Sequence, residues 1–219
     1  MSKANRARVA LDRDEIARAA LAMLDEEGID ALSMRRLAER LGVGTMTLYG
    51  YFRGKQELLD AAVGAAAADF TFTPPEEGGL RERLRAHQRA VREVLARHPS
   101  LPQLRARQAL VQPAAFRMSD PAMQMLLDAG FPPDEAARAF RVLFVYVLGS
   151  MLFGPRELTA DEQRSIKAGL LLLPEDEFPA ITAAADALPA SMGGDVQFDY
   201  GLEVILDGIE ARRRQLAGE

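Results

Sequence analysis

Apolar side chains recur at helical spacing through the first 70 residues of this chain. One face of the first predicted helix carries Ile16, Ala20, Met23 and Leu24. Asp12 and Glu15, three residues apart, have the spacing of a capping box at the start of that helix, and Gly28 can end it as a left-handed cap. No stretch before residue 73 shows the apolar–polar alternation that is typical of a strand.

Two shorter helices follow and meet at a glycine. The first has Ser33 as its predicted N-cap, ends at Gly42, and has an apolar face of Leu37, Ala38 and Leu41. The second runs from about Thr45 to Phe52. A fourth helix is predicted to start near Lys55 and to continue past Ala68.

All 12 prolines lie at or beyond Pro74, so the pattern predicts a compact helical head followed by a body of several helices. The body helices are predicted near residues 79–97, 102–111, 114–129, 134–153, 161–172, 177–188 and 197–215. The predicted fold class is all-α, with an N-terminal three-helix head joined by a long helix to an α-helical body. We predict two domains, residues 1–56 and residues 57–219.

The segment 33–52 has the parts that a helix-turn-helix requires. Ala38 is small where two helices cross steeply, and Gly42 tolerates the positive φ of a tight turn. The second helix of such a motif presents its outward positions to the major groove of DNA. The predicted DNA-binding residues are Ser33, Arg35, Arg36, Thr45, Met46, Thr47, Tyr49, Gly50, Tyr51 and Lys55.

The side chains of this segment suit contacts with bases and phosphates. Thr45 and Thr47 can hydrogen-bond base edges or phosphates and can touch a thymine methyl, whereas tyrosine hydroxyls suit phosphates. Lys55 begins a helix whose N–H groups already favour an anion. Residues 33–55 carry five cations against the single acid Glu39. A helical hairpin with solvated arginines is the alternative interpretation.

Composition narrows the class of protein. The net charge of −5 argues against a protein that coats nucleic acid indiscriminately. The absence of cysteine excludes disulfides and thiolate zinc sites and fits a reducing cytoplasm. Residues 1–10 are not followed by the apolar core that a signal peptide has. The apolar run 142–153 is shorter than the roughly 20 residues of a membrane span. We expect a soluble, cytoplasmic protein with no membrane partner.

The head motif also carries a resemblance to a known family. Residues 11–70 resemble the DNA-binding domain of TetR-type regulators, through Leu37-Ala38, Leu41-Gly42-Val43, Thr47-Leu48-Tyr49, Tyr51-Phe52, Lys55 and Leu58-Leu59. Residues 198–210 are similar to the last helix of the tetracycline-repressor-like subgroup. The resemblance implies a homodimer, operator DNA as partner and a small-molecule inducer in the body. It implies no operator sequence, because Met46 and Gly50 stand where members of the family vary.

Two predicted body helices, 134–153 and 197–215, are too apolar for the surface of a monomer. From Ala139 onward the first is apolar nearly all round, and a surface helix would show a polar stripe. Gly201 and Gly208 on the second leave a strip where another helix can approach closely. We predict that these helices from two chains form an intersubunit four-helix bundle. A buried helix pair in a monomer is the alternative.

Methionine and aromatic side chains between residues 116 and 144 are typical of an adaptable apolar pocket. The predicted ligand-binding residues are His87, Phe116, Met123, Leu127, Phe140 and Phe144. They suit a small apolar or amphipathic effector. A plain hydrophobic core is the alternative for the cluster, and a core or solvated position is the alternative for His87. His98, before Pro99 at a helix end, is expected near the terminal carbonyls.

The predicted function is a ligand-responsive transcriptional regulator, a repressor that binds palindromic operator DNA as a homodimer and is released by a small molecule. An activator of the same architecture and a helical small-molecule-modifying enzyme are the alternatives. The sequence shows no glycine-rich phosphate loop and no constellation of a nucleophile or a carboxylate pair. We predict no cofactor and no metal; two histidines also disfavour the metal-bound tetracycline that the resemblance would imply. Our hypothesis for release is that ligand in the body pivots the fourth helix and changes the spacing of two heads.

Overall fold

The computed structural model describes residues 11–107 and 113–218. This part of the chain holds twelve α-helices and, in its described residues, no strand. They are α1 Arg13–Glu27, α2 Met34–Leu41, α3 Thr45–Tyr49, α4 Lys55–Ala68, α5 Leu80–Arg97, α6 Ser100–Arg107, α7 Pro113–Phe116, α8 Asp120–Asp128, α9 Pro133–Phe153, α10 Ala160–Leu171, α11 Pro179–Ala183 and α12 Gly194–Ala217. Short 3₁₀ turns lie at Ile29–Ala31 and Pro189–Ser191. The predicted all-α class is confirmed.

The helices pack as two compact units. The first contains the described residues up to Phe70 together with His98–Arg117, and the second contains Thr71–Arg97 together with the described residues from Met118 onward. The chain therefore passes from one unit to the other three times. This division describes packing. The predicted domains 1–56 and 57–219 concern function and stay a prediction.

In the first unit α1 packs along α4, and α2 packs on both α1 and α3. The largest fully buried side chains of its core include Ile16, Leu24, Leu37, Leu48, Phe52 and Leu58. The predicted capping box is present, since Asp12 Oδ1 accepts from the Glu15 N–H at 2.6 Å and the Glu15 carboxylate accepts from the Asp12 N–H at 3.1 Å. Gly28 has the predicted positive φ of 86°, but its ψ of 169° leads into the 3₁₀ turn and not into a left-handed helical cap.

The segment His98–Arg117 is held to the first unit by polar contacts. His98 was expected near the carbonyls that end α5, and this expectation is wrong. Its Nδ1 lies 2.8 Å from Asp25 Oδ2 and its Nε2 lies 3.2 Å from Asp69 Oδ2. Ser100 donates from its hydroxyl to the same Asp25 carboxylate at 2.5 Å. A carboxylate is a stronger hydrogen-bond acceptor for the imidazole than an exposed backbone carbonyl is.

In the second unit α5 packs against α8, α9 and α12, and α9 packs against α8 and α12. A ladder of ion pairs, which we call the α5–α12 ladder, joins Arg81, Arg85, Arg89 and Arg92 to Asp195, Asp199, Glu203 and Asp207. The carboxylates are four residues apart on α12, and three of the four arginines have the same spacing on α5. The two helices therefore align charged faces of opposite sign over about three turns.

Three predicted body helices differ from the structure. The predicted helix 114–129 is interrupted between α7 and α8, because Pro121 near the start of α8 would clash with a preceding helical turn. Of the predicted helix 177–188, only the five residues of α11, Pro179–Ala183, form an α-helix. The predicted helix 102–111 corresponds to α6 as far as residue 107, and its remainder lies outside the described residues.

Both long helices of the second unit have an apolar face that the chain itself leaves uncovered. On α9, Leu143, Val147 and Met151 are buried, whereas the exposed apolar side chains are Val142, Val145, Leu152 and Phe153. On α12, Val196, Tyr200 and Val204 are exposed, as is Leu216 near the end of the helix. We call the four residues of α9 together with Val196, Tyr200 and Val204 the apolar stripe. By length and composition alone, the 21-residue α9 is also long and apolar enough to cross a membrane, a test that core helices of soluble proteins pass too.

The ladder makes a prediction about acid stability. Hydrogen bonds from Arg85 and Arg81 lower the pKa of Glu203 to about 2, against the opposing effect of burial. An unfolded glutamate titrates near ~4.3, so the stabilisation is complete above that pH and is lost as the pH falls towards 2. Glu203→Gln should therefore cost about 1 kcal/mol at pH 7, a small value because solvent screens the pair.

Urea unfolding of parent and variant between pH 7 and 3 measures this difference, which should shrink steadily below pH 4.5. Glu210→Gln is the control, because Glu210 pairs with Arg213 within the same helix and joins no second helix. A Glu203→Gln difference that is constant over this pH range contradicts the prediction.

Candidate nucleic-acid interface

The turn between α2 and α3 has the geometry that the sequence predicts. Ala38 is 1% exposed where α2 meets its neighbours, and Gly42 adopts φ 67° and ψ 29°, the left-handed region. The Gly42 N–H donates to the Glu39 carbonyl at 3.2 Å, and the Val43 N–H donates to the Ala38 carbonyl at 3.0 Å. A Cβ is disfavoured at this φ, which explains the glycine. The helix-turn-helix is formed.

The outward face of α3 is uncharged and largely exposed. Met46 is 80% and Tyr49 48% exposed, Thr47 and Gly50 are exposed, and Thr45 is half-buried. Leu48 points into the core and is fully buried. The α-helix ends at Tyr49, earlier than the predicted Phe52, because the Gly50 and Tyr51 N–H groups bond three residues back, to Thr47 and Leu48, in a tighter turn.

The arginines of α2 are already paired with glutamates. Arg40 binds the Glu26 carboxylate through both terminal nitrogens at 2.8 and 2.9 Å and holds the pKa of Glu26 below its usual value. Arg36 pairs with Glu27 and donates to the Ala31 carbonyl at 3.1 Å. Arg35 pairs with Glu39 along α2. The local positive charge counted from residues 33–55 is therefore partly neutralised by the end of α1.

Three further predicted DNA-binding residues also have partners inside the head. The Tyr51 hydroxyl donates to the Leu11 carbonyl at 2.6 Å, so it is engaged within the head. The Ser33 hydroxyl accepts from the Arg36 N–H at 3.2 Å and caps α2. Lys55 is exposed, with its Nζ 3.4 Å from the Ile29 carbonyl. Among the three, Lys55 has the weakest internal contact, so its ammonium is the most readily redirected to a phosphate.

In the second unit, His87 is a core residue. It is 1% exposed, its Nε2 lies 2.9 Å from the Met118 carbonyl, and its ring meets Phe72 edge-on at 5.0 Å. Burial lowers the pKa of His87 to about 4, against the opposing effect of the bond to Met118. The imidazole is therefore neutral at pH 7 and donates from Nε2 to that carbonyl. A neutral ring suits contact with an uncharged group better than with an anion.

The other predicted ligand residues divide between the two units. Met123 and Leu127 on α8 are half-buried, as are Phe140 and Phe144 on α9, whose ring centroids are 5.8 Å apart. With His87 on α5 they lie on three helices that pack together in the second unit. Phe116 belongs to the first unit and is 50% exposed. The ligand-binding role of all six stays a prediction. Within residues 11–107 and 113–218, no group of three histidine or carboxylate side chains could hold a metal ion.

Two family models match the chain. Residues 16–62 match the model of bacterial regulatory proteins of the tetR family, and residues 73–213 match the tetracyclin repressor-like C-terminal domain. The chain belongs to the TetR family. It is therefore a transcriptional regulator by family, as the resemblance implied, and the enzyme alternative has no support.

Relatives across the full length agree. The tetracycline repressor protein class A from transposon 1721 of Escherichia coli is 33% identical, over 93% of this chain and 92% of that protein. The HTH-type transcriptional repressor DrrR1 of Streptomyces coeruleorubidus is 31% identical, over 95% and 81% of the two chains. The TetR family protein ActR of Streptomyces coelicolor, solved in complex with actinorhodin, aligns with a TM-score of 0.80 at 28% identity, over 93% and 97% of the two chains.

Removal of the hydroxyl group of Tyr49 and of Tyr51 should affect the stability of the protein differently. Tyr51→Phe removes the hydrogen bond to Leu11 and should lower the free energy of unfolding by about 1 kcal/mol. Tyr49→Phe, at an exposed hydroxyl, is the matched control and should leave it unchanged. Chemical denaturation measures both. Equal effects of the two substitutions would contradict the role given to Tyr51.

Proposed function

We propose that this TetR-family protein is a ligand-responsive transcriptional repressor that binds palindromic operator DNA as a homodimer and is released by a small molecule. The observation that supports this most directly is the exposed, uncharged face of α3 on a formed helix-turn-helix. Relatives named as repressors, and a similar structure that contains a small molecule, support the repressor and the effector. An activator of the same architecture has no observation in its favour.

In this proposal α3 lies in the major groove, where Thr45, Met46, Thr47 and the backbone at Gly50 face base edges. Tyr49 and Lys55 contact phosphates, which fixes the position of the head without reading sequence. Ser33, Arg35, Arg36 and Tyr51 are proposed as flanking contacts. Because Arg36 and Arg35 are ion-paired in the free protein, they reach a phosphate only by exchanging a glutamate for it.

The proposed homodimer forms through residues 134–153 and 197–215, which carry most of the apolar stripe. Exposed patches of this kind mark interaction sites in soluble proteins. A second copy of the chain offers an identical stripe, and the two stripes bury each other across a two-fold axis. Operator DNA as partner also places the protein in the cytoplasm, without a membrane partner for α9.

Release by the effector is proposed to act on the geometry of the pair. Two heads on a two-fold axis bind half-sites about one helical turn apart. A small apolar or amphipathic ligand, bound in the second unit near His87, Met123, Leu127, Phe140 and Phe144, lowers operator affinity if it favours a conformation in which the heads do not match that spacing. The predicted division into a DNA-binding domain, residues 1–56, and a ligand-binding and dimerisation domain, residues 57–219, follows this assignment of roles.

The phosphate contacts can be tested against the base contacts. Lys55→Ala combined with Tyr49→Phe should weaken binding on every DNA sequence alike, and the loss of one cation from each of the two heads should reduce the slope of log affinity against log salt concentration by about two units. Thr45→Ala or Thr47→Ala should instead change the preferred sequence.

Fluorescence anisotropy measures both effects at several salt concentrations, on an operator selected from random DNA and on unrelated DNA. Lys167→Ala is the control for a lost cation, because Lys167 lies on α10 and pairs with Asp186. A double variant that binds DNA like the parent contradicts the proposed interface.

The apolar stripe makes a prediction about assembly. The parent should sediment at twice the chain mass at micromolar concentration, whereas Val145→Asp, which puts a charge on a side chain that is 50% exposed in one chain, should sediment as a monomer. Leu172→Asp is the matched control, since Leu172 is 86% exposed but lies outside both helices. A parent that is monomeric, or a Val145→Asp variant that stays dimeric, rules out this interface.

A further inference from the structure

The large apolar side chains of the head that the structure describes are buried or half-buried, with two exceptions. Among the described residues up to Phe70, the large apolar side chains that are exposed are Met46, at 80%, and Tyr49, at 48%. Both lie on α3 and not on the other helices of the head. Tyr49 carries a hydroxyl that water can hydrogen-bond, but Met46 presents an apolar thioether chain to solvent and contributes nothing to the core. The Met46 side chain, on the outward face of this helix, is therefore available for contact with a binding partner.

The chemistry of α3 restricts which base edges it can distinguish. Residues 41–52 contain no arginine, lysine, asparagine, glutamine or acidic residue. Arginine and lysine read guanine, asparagine and glutamine read adenine, and acidic side chains read the cytosine amino group. The one distinctive base-edge group that an apolar side chain recognises in the major groove is the C5-methyl group of thymine.

Met46 also has an unobstructed approach. Gly50, one turn later on the same side of the helix, has no side chain, and apart from its chain neighbours the one described atom within 4 Å of a Cβ built there is the Thr47 carbonyl oxygen, at 3.2 Å. The space beside the Met46 side chain is therefore open. Methionine is unbranched and adapts its shape to a neighbouring surface, which suits contact with a methyl group on the floor of a groove.

We propose that Met46 reads a thymine through its methyl group, so that each half-site of the operator carries a T·A pair at the position under Met46. The proposal rests on the proposed function and adds to it the identity of a base. Thr45 and Thr47 on α3 carry methyl groups as well; Thr45 is half-buried, so the exposed Thr47 next to Met46 is the side chain from which Met46 has to be separated.

The first step of the test is selection of bound duplexes from random DNA by the full-length parent. The proposal expects a palindrome with an invariant thymine in each half-site whose preference is lost when Met46→Ala is used for the selection. A palindrome whose bases are all unchanged by Met46→Ala overturns the proposal and leaves the proposed function standing. Selection of no sequence at all overturns the proposed function and the proposal with it.

The second step removes only the methyl group of the base. Replacing that thymine by deoxyuridine in one half-site should weaken binding by the parent about fourfold, which is the value for one buried methyl-sized group. Met46→Ala should bind thymine and deoxyuridine operators equally. Thr47→Ser, which removes the threonine methyl, should keep the fourfold difference, as should Met192→Ala, an exposed methionine of the second unit.

The effect of deoxyuridine on each variant shows whether Met46 or Thr47 contacts the methyl group of the base. If Thr47→Ser abolishes the deoxyuridine effect and Met46→Ala preserves it, Thr47 makes the contact and the proposal is wrong. Met46→Gln adds a positive test, because a glutamine at this position should shift the selected base from thymine to adenine. Thermal unfolding of each variant serves as a check, and no change is expected because Met46 is 80% exposed.

Discussion

The apolar faces of α9 and α12 are the constraint on which the rest of the molecule depends. Each helix buries one face in its own chain and leaves a second apolar face in water. Burial of a valine or leucine side chain is worth about 1.5–3 kcal/mol, and a whole domain is stable by only about 5–15 kcal/mol. The apolar stripe is therefore too costly to leave uncovered. In the proposed homodimer a second copy covers it symmetrically, and the two-fold symmetry brings two heads together.

The direction in which the stripe faces is set by charge. The carboxylates of α12 recur every fourth residue from Asp195 to Asp207, and their ion pairs with α5 hold that side of the helix inward. Val196, Tyr200 and Val204 each follow one of these carboxylates by one residue, about 100° around the helix, so the ladder turns them away from α5. A slip of one residue would turn apolar side chains towards the arginines. The α5–α12 ladder thus fixes the register of α12, which presents part of the proposed dimer surface.

Local features of the chain could be predicted, and contacts between distant residues could not. Asp12 with Glu15, and Gly42, act through hydrogen bonds and dihedral angles within a few residues, so their sequence spacing was sufficient. Tyr51 meets Leu11 across 40 residues, and His98 meets Asp25 across 73, so nothing in their own neighbourhood indicated these partners. The ladder was visible as matching four-residue spacings on both helices, but only a comparison of the two would have found it. Pro121 was a local signal for the break before α8.

The ion pairs of α2 also decide where operator affinity can come from. An arginine that leaves a glutamate for a phosphate exchanges one partly exposed ion pair for another, and such exchanges change the free energy little. In the proposed interface one head then binds through a few hydroxyls, Lys55 and apolar contacts, which is a weak interaction. Linking two weak heads makes the second binding event intramolecular and multiplies affinity only if both half-sites can be reached together. A small molecule that alters the geometry of the pair would therefore abolish most of the affinity without touching α3, because the contribution it removes is that of the second head.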